Sequence, residues 1–234
     1  MFSKPIYLAV ALPCLVAATA THASILVPDG LKPGDMYHLA FVTRFTIDAT
    51  SSLIVDYNQF VQDQAALNPS LTGTDMGVTW KAIASTAMVD ARDNALVEAP
   101  VYLLDATTKI ADGFSDMWDG TLDAPLDLDQ FVMGMVAPAV WTGSNPSGTS
   151  NVPHFLGGID VVAGRFSSDS QWMDASREPN TTPLPLYALS AKLTVAVPEP
   201  TSVVNWLCLV SVVPLCGSFR RRYFQNRWKS ARDR

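Results

Sequence analysis

Seven aspartates crowd one stretch of the chain: Asp105, Asp112, Asp116, Asp119, Asp123, Asp127 and Asp129. Calcium takes clustered carboxylates as ligands, together with backbone carbonyls from glycine-containing loops. Only Asp127 and Asp129 have the close spacing of a calcium loop, and the alternating Asp-x-Asp-x-Asp-Gly pattern is absent. Asp127 and Asp129 are the expected ligands if calcium is a cofactor. The alternative is that these acids form turns, cap helices and remain solvated. Other chemistry has less to stand on. Between residues 24 and 196 there are two histidines, His38 and His154, and neither a Gly-x-Ser-x-Gly elbow nor a His-Glu-x-x-His helix. Gly157-Gly158 lacks the lysine and spacing of a phosphate loop. His38 sits within an apolar stretch and reads as a histidine with both nitrogens satisfied in the fold. No catalytic residue is expected. A hydrolase using paired carboxylates is the open alternative, because twenty acids in this portion supply many pairs.

The 234 residues suit one domain plus appendages. Residues 1–23 have a short positive start at Lys4, an apolar run from Ile6 to Ala18 and small residues at Ala18-Thr19-Ala20 and Thr21-His22-Ala23. This is the pattern of a secretory signal peptide, removed by signal peptidase. Cys14 is a poor lipidation site, since Pro13 stands where a small residue is wanted. The other cysteines are Cys208 and Cys216, so residues 24–196 contain none. That excludes a disulfide scaffold, a thiol nucleophile and a cysteine metal site there. The same portion carries eight basic and twenty acidic residues, a charge near −12, whereas the tail beyond Phe219 is near +6. Phosphate would repel the acidic portion, so nucleic acid is not an expected partner.

Local patterns predict the elements. Tyr37 to Thr43 reads as a buried strand, rich in aromatic and β-branched residues. Thr50-Ser51-Ser52 offers a cap for a helix over 52–67. Leu53, Ile54, Tyr57, Phe60, Val61 and Leu67 form its apolar face, and Asp56, Gln59, Asp63 and Gln64 its solvated one. Further strands are expected at 78–84, 101–105 and 185–193, with a short helix opened by Asp90. Arg92, between Asp90 and Asp93, is expected in an ion pair. Trp141 points inward from a short strand, before an irregular loop built on Gly143, Asn145-Pro146 and Gly148. Trp172 reads as core. The fold class is α+β, a single domain over 24–196.

The C-terminal part runs Val197-Pro198-Glu199-Pro200-Thr201, then an uncharged apolar stretch over 203–219, then Arg220-Arg221-Arg222. At about 1.5 Å per residue, that stretch spans roughly 25 Å as a helix, enough for a thin bilayer. The arginines would hold its end in the cytoplasm, with the domain outside. Residues 197–234 closely resemble the PEP-CTERM sorting signal of exported bacterial proteins. The resemblance implies recognition and removal of the tail by an exosortase, in a Gram-negative host that makes exopolysaccharide. It implies a protein anchored in the membrane at least transiently, then placed on the cell surface or in the extracellular matrix.

Within the domain, the order Trp80, Ser85-Thr86, Asp90-Ala91-Arg92-Asp93, Val101 to Asp105, Asp116-x-Trp118-Asp119-Gly120, Trp141 to Gly148, and Leu186-Tyr187-Ala188 is similar to PEP-CTERM domains of the endostatin and C-type-lectin-like fold. The implied function is a lectin-like binding or structural role, with polysaccharide as the ligand class. That fold's cysteines are missing, so no disulfide is implied. Glu178-Pro179-Asn180 resembles the triplet by which calcium-dependent lectins hold mannose-type sugars, and it makes Glu178 and Asn180 the implied sugar-binding pair. The expected Trp-Asn-Asp downstream of it is absent.

Overall fold

A computed structural model describes residues 26–72, 77–136 and 139–197. The expected signal peptide over 1–23, Cys14, Pro198 to Thr201, the apolar stretch over 203–219 and Arg220 to Arg222 lie outside the described residues. Among the described residues, no helix is long and apolar enough to cross a membrane.

The architecture is mixed α+β. In chain order the elements are β1 (Met36–Val42), α1 (Ile54–Ala66), α2 (Pro69–Thr72), β2 (Trp80–Ala82), α3 (Ala91–Asn94), β3 (Val101–Leu103), β4 (Lys109–Ala111), α4 (Phe114–Met117), β5 (Val140–Trp141), β6 (Asp160–Gly164), a single 3-10 turn (Ser170–Trp172), β7 (Ser176–Pro179), β8 (Tyr187–Ser190) and β9 (Leu193–Thr194). The chain divides into two compact units. One holds 26–31 and 36–193 among the described residues, and the other 32–35 with 194–197. In the second unit, Gly34 N–H donates to Val195 O and Val195 N–H to Asp35 O, each at 2.9 Å.

In the first unit, five strands run in the order β2-β8-β1-β3-β4. β1 is central because six of its seven residues are buried, so both of its faces must be covered. It pairs parallel with β3 (Ala40 opposite Leu103) and antiparallel with β8 (Phe41 opposite Ala188). Successive side chains alternate faces. Phe41 meets the Trp80 ring edge-on at 4.8 Å on one face, and α1 lies against β2. On the other face Ala40, Val42, Val101, Leu103, Tyr187 and Leu189 share a core with Trp118, Val140 and Trp172. The smaller sheet runs β5-β6-β7, all antiparallel.

The predicted helix exists, but its faces are drawn differently. Leu53 and Leu67 are exposed, and Gln64 is buried, accepting from Gln130 Nε2 at 3.1 Å. Leu53 occupies the N-cap position without a side-chain cap. Ser51, just outside the helix, instead accepts from Leu53 N–H and donates its hydroxyl to Asp56 in the first turn. α3 begins after Asp90 as expected, yet the Asp90 carboxylate bonds Ser150 N–H at 2.7 Å rather than capping it.

The motif residues from separated stretches meet in one place. Ser85 Oγ lies 2.7 Å from Ser144 Oγ and accepts from Ala91 N–H, while Arg92 N–H donates to Gly148 O. Two glycines are required there. Gly143 has φ +59°, and a Cβ on it would stand 2.5 Å from Ser85 O. Gly148 has φ +74°, and a Cβ on it would stand 2.4 Å from the Trp118 ring. Trp141 is fully buried and donates from Nε1 to Ile47 O.

Candidate functional site

The aspartate-rich stretch resolves into separate local roles. Asp105 closes a turn, accepting from the amides of Thr107 and Thr108 and from the Thr108 hydroxyl. Burial pushes its carboxyl up, but those hydrogen bonds outweigh it and hold the group below the usual range. Asp119 accepts from Thr121 N–H and Oγ1, which also lowers it.

Asp112, Asp116 and Asp123 bring one oxygen each within 4.8 Å of one another, the three-carboxylate cluster among the described residues. Lys109 stands in it. Its ammonium bonds Asp112 and lies 3.8 Å from Asp123, and the Asp112 bond raises the lysine above its usual value. A protein cation already offsets part of that cluster's charge.

Asp129 has a different environment from the one a calcium ligand would need. Its side chain is fully buried. Oδ2 takes Nε and Nη2 of Arg44, each at 2.5 Å, and Oδ1 accepts from Phe131 N–H and Met133 N–H. These bonds straddle Val132, whose φ of +62° is unfavourable for a β-branched residue. Asp129 therefore anchors a strained loop, and the arginine beside it would repel a divalent cation. Arg44 also lies over the Phe131 ring, 5.2 Å from its centroid. Asp127 is half-buried, and its charge adds to the burial that raises the Tyr187 phenol.

Glu178 lies in β7 opposite Val161 of β6. Its carboxylate accepts from Ser176 Oγ at 3.1 Å. The Asn180 amide donates to Gly158 O at 2.7 Å, while its backbone bonds Ile159 and Ala49. The implied sugar-binding pair is thus partly spent within the fold, with Asn180 tying the β7 end to the loop before β6. Val197 is the last described residue and is exposed, and the other residues of the expected sorting signal lie outside the described residues.

His38 behaves as its apolar setting predicts. A carbonyl can only accept, so Nδ1 donates to Ser190 O at 2.9 Å, and Nε2 accepts from Glu98 N–H at 3.1 Å. Both nitrogens are used by a neutral ring. Arg92 pairs with Asp90 at 3.8 Å, also as expected.

Sequence reasoning missed a cleft between the β2–β8 pair and the segment after α3. It is lined by Lys81, Ala95, Glu98, Leu189 and Lys192 among others. The only local signal was Lys81, a charge inside an otherwise apolar strand. Its partners lie more than a dozen residues away and no spacing rule joins them. No family model matches the chain, and no curated protein matches it in sequence.

Proposed function

We propose that this is an exported protein, sorted by an exosortase to the cell surface or exopolysaccharide matrix, whose folded portion serves as a C-type-lectin-like or endostatin-like binding or structural domain. One observation carries the reading. Pro198-Glu199-Pro200, the uncharged stretch over 203–219 and Arg220 to Arg222 follow in that order directly after the last strand of the fold. An ordinary anchor needs the apolar stretch and the arginines but has no use for Pro-Glu-Pro.

The lectin-like part of the proposal is supported by the meeting of Ser85, Asp90, Trp118, Ser144 and Gly148 around one buried junction. It is also supported by the pairing of the domain's first strand with β8, near its end. Signal peptidase and exosortase are the processing partners, polysaccharide is the ligand class, and the membrane is touched through the tail until it is removed.

Mass spectrometry of the protein on the surface of an exopolysaccharide-making host tests the sorting. The expected product begins near Ser24 and ends near Pro200. Surface protein that still ends at Arg234 would reduce the tail to a plain anchor. Replacing Pro198 and Pro200 by alanine should leave the tail attached.

A further inference from the structure

The cleft beside β2 has a volume of roughly 210 Å³. That is below the ~300–1,000 Å³ of sites for drug-sized molecules, and it suits one ring-sized group. Lys81 and Leu189 are register partners, so both project from the same face of the sheet. Leu189 and Ala95 are buried and give the cleft an apolar floor. Lys81 is exposed and forms no ion pair among the described residues. Lys192 Nζ lies 3.1 Å from Glu98 Oε2. Lys81, Lys192 and Glu98 thus line one cleft, two basic side chains to one carboxylate, on a portion of the chain whose charge is near −12.

Of the neutral polar side chains lining the cleft, Thr79, Asn94 and Ser190, the last two are already spent. The Asn94 amide donates to Ala82 O and exchanges bonds with Asn58, and the Ser190 hydroxyl is held by Leu39 N–H and Ala191 O. Charged recognition falls to the lysines, with the Thr79 hydroxyl as the one neutral side-chain group left at the rim. The Lys192–Glu98 pair is half-exposed, and solvent screens such pairs so that they hold weakly, which leaves Lys192 free to exchange partners. The wall is fixed in advance, because His38 bonds both the Glu98 amide and the Ser190 carbonyl. A wall fixed before binding loses little entropy on binding.

We infer that this cleft holds the carboxylate of a uronate ring from an acidic polysaccharide, with Lys81 and Lys192 on the carboxylate and Leu189 beneath the ring. The choice of a sugar rests on the matrix reading above, and the carboxylate rests on the cleft itself.

Calorimetric titration of the full-length protein with oligoglucuronate tests this, with neutral oligoglucose of equal length and free glycolate as the other probes. Oligoglucuronate should bind and oligoglucose should not. Lys81→Gln should weaken binding about tenfold or more, the loss of one charge-assisted bond, while Lys81→Arg keeps it. Lys81 is exposed, so the unfolding midpoint of each variant should match the wild type. Absence of uronate binding, or equal binding by Lys81→Gln, would overturn the inference. Glycolate binding as tightly as the oligomer would overturn the sugar assignment. Lysine-dependent uronate binding by a surface protein that retains Arg234 would sink the sorting proposal and leave the cleft standing.

Discussion

Replacing Gln62 by leucine opens the outer edge of the large sheet. β2 is the edge strand, and among the described residues no further strand covers it. Amides from helices cover it instead. Gln62 Oε1 accepts from Trp80 N–H at 2.8 Å and Nε2 donates to Val78 O at 3.2 Å. One turn earlier on α1, Asn58 Oδ1 accepts from Ala82 N–H, and Asn94 Nδ2 donates to Ala82 O. The side chains take the place of a neighbouring strand and leave no template for another chain. Leucine has nearly the same volume but forms no hydrogen bond. It strands one donor and one acceptor on residues that are 2% and 6% exposed. A buried group without a partner costs about 1–3 kcal/mol. Gln62 is only half-buried, which lets water recover part of this, so the expected loss is about 2–4 kcal/mol. With an m-value of about 2 kcal/mol/M in urea, the midpoint should fall by about 1–2 M. Urea unfolding followed by tryptophan fluorescence reads that shift, and sedimentation reads any edge-to-edge dimer. A monomeric variant with an unchanged midpoint would mean that water already serves this edge, and the argument would fail.

Two other perturbations have defined outcomes. Asp129→Asn removes the charge opposite Arg44 and sets an amide N–H₂ against a donor. Breaking a buried pair costs about 3–5 kcal/mol, and the 40% exposure of the arginine side chain brings this to about 2–3 kcal/mol. The loss should be equal in calcium and in chelator, and destabilisation seen only with calcium present would put a metal at Asp129. His38→Gln tests the neutral ring. Burial lowers the imidazole below its usual value, as does the Lys192 charge, while the Ser190 carbonyl and the Glu98 charge pull it up less strongly. Below a pH of about 6.5 the unfolded chain takes up a proton that the fold refuses. Stability should therefore fall as pH drops through the ordinary histidine range and be flat above it. Urea midpoints at neutral and mildly acidic pH should diverge for the wild type and converge for the variant, and identical pH slopes would rule out a buried neutral imidazole.

The features legible in the sequence are those that depend on neighbours along the chain. β1 was readable because a run of aromatic, apolar and β-branched residues has one stable use, burial on both faces of a sheet. α1 was readable from its 3.6-residue period, although the period could not say that Leu53 and Leu67 fall beyond the reach of the core. Trp141, Trp172, the satisfied His38 and the Arg92–Asp90 pair also followed from local context. The proposed sorting signal rests on local pattern in the same way, since its parts are contiguous.

The site chemistry depended on distance through space. Asp127-x-Asp129 looks like a calcium pair until Arg44, 85 residues earlier, claims the second carboxylate. Glu178-Pro179-Asn180 looks like a sugar triplet until its strand register and Gly158 engage the asparagine. The cleft unites residues 81, 98 and 192 across three segments, and the edge amides unite 58, 62 and 94. Periodicity and propensity report which face of an element is buried. They do not report which distant group arrives there, because sheet order and loop closure decide that. The amino-acid sequence determined the class of fold, the absence of thiol chemistry from residues 24–196 and the form of the C-terminal tail. Tertiary structure alone decided which carboxylates are occupied and which lysine forms no ion pair among the described residues, because a charge's role is set by the partner that comes within a few ångströms of it.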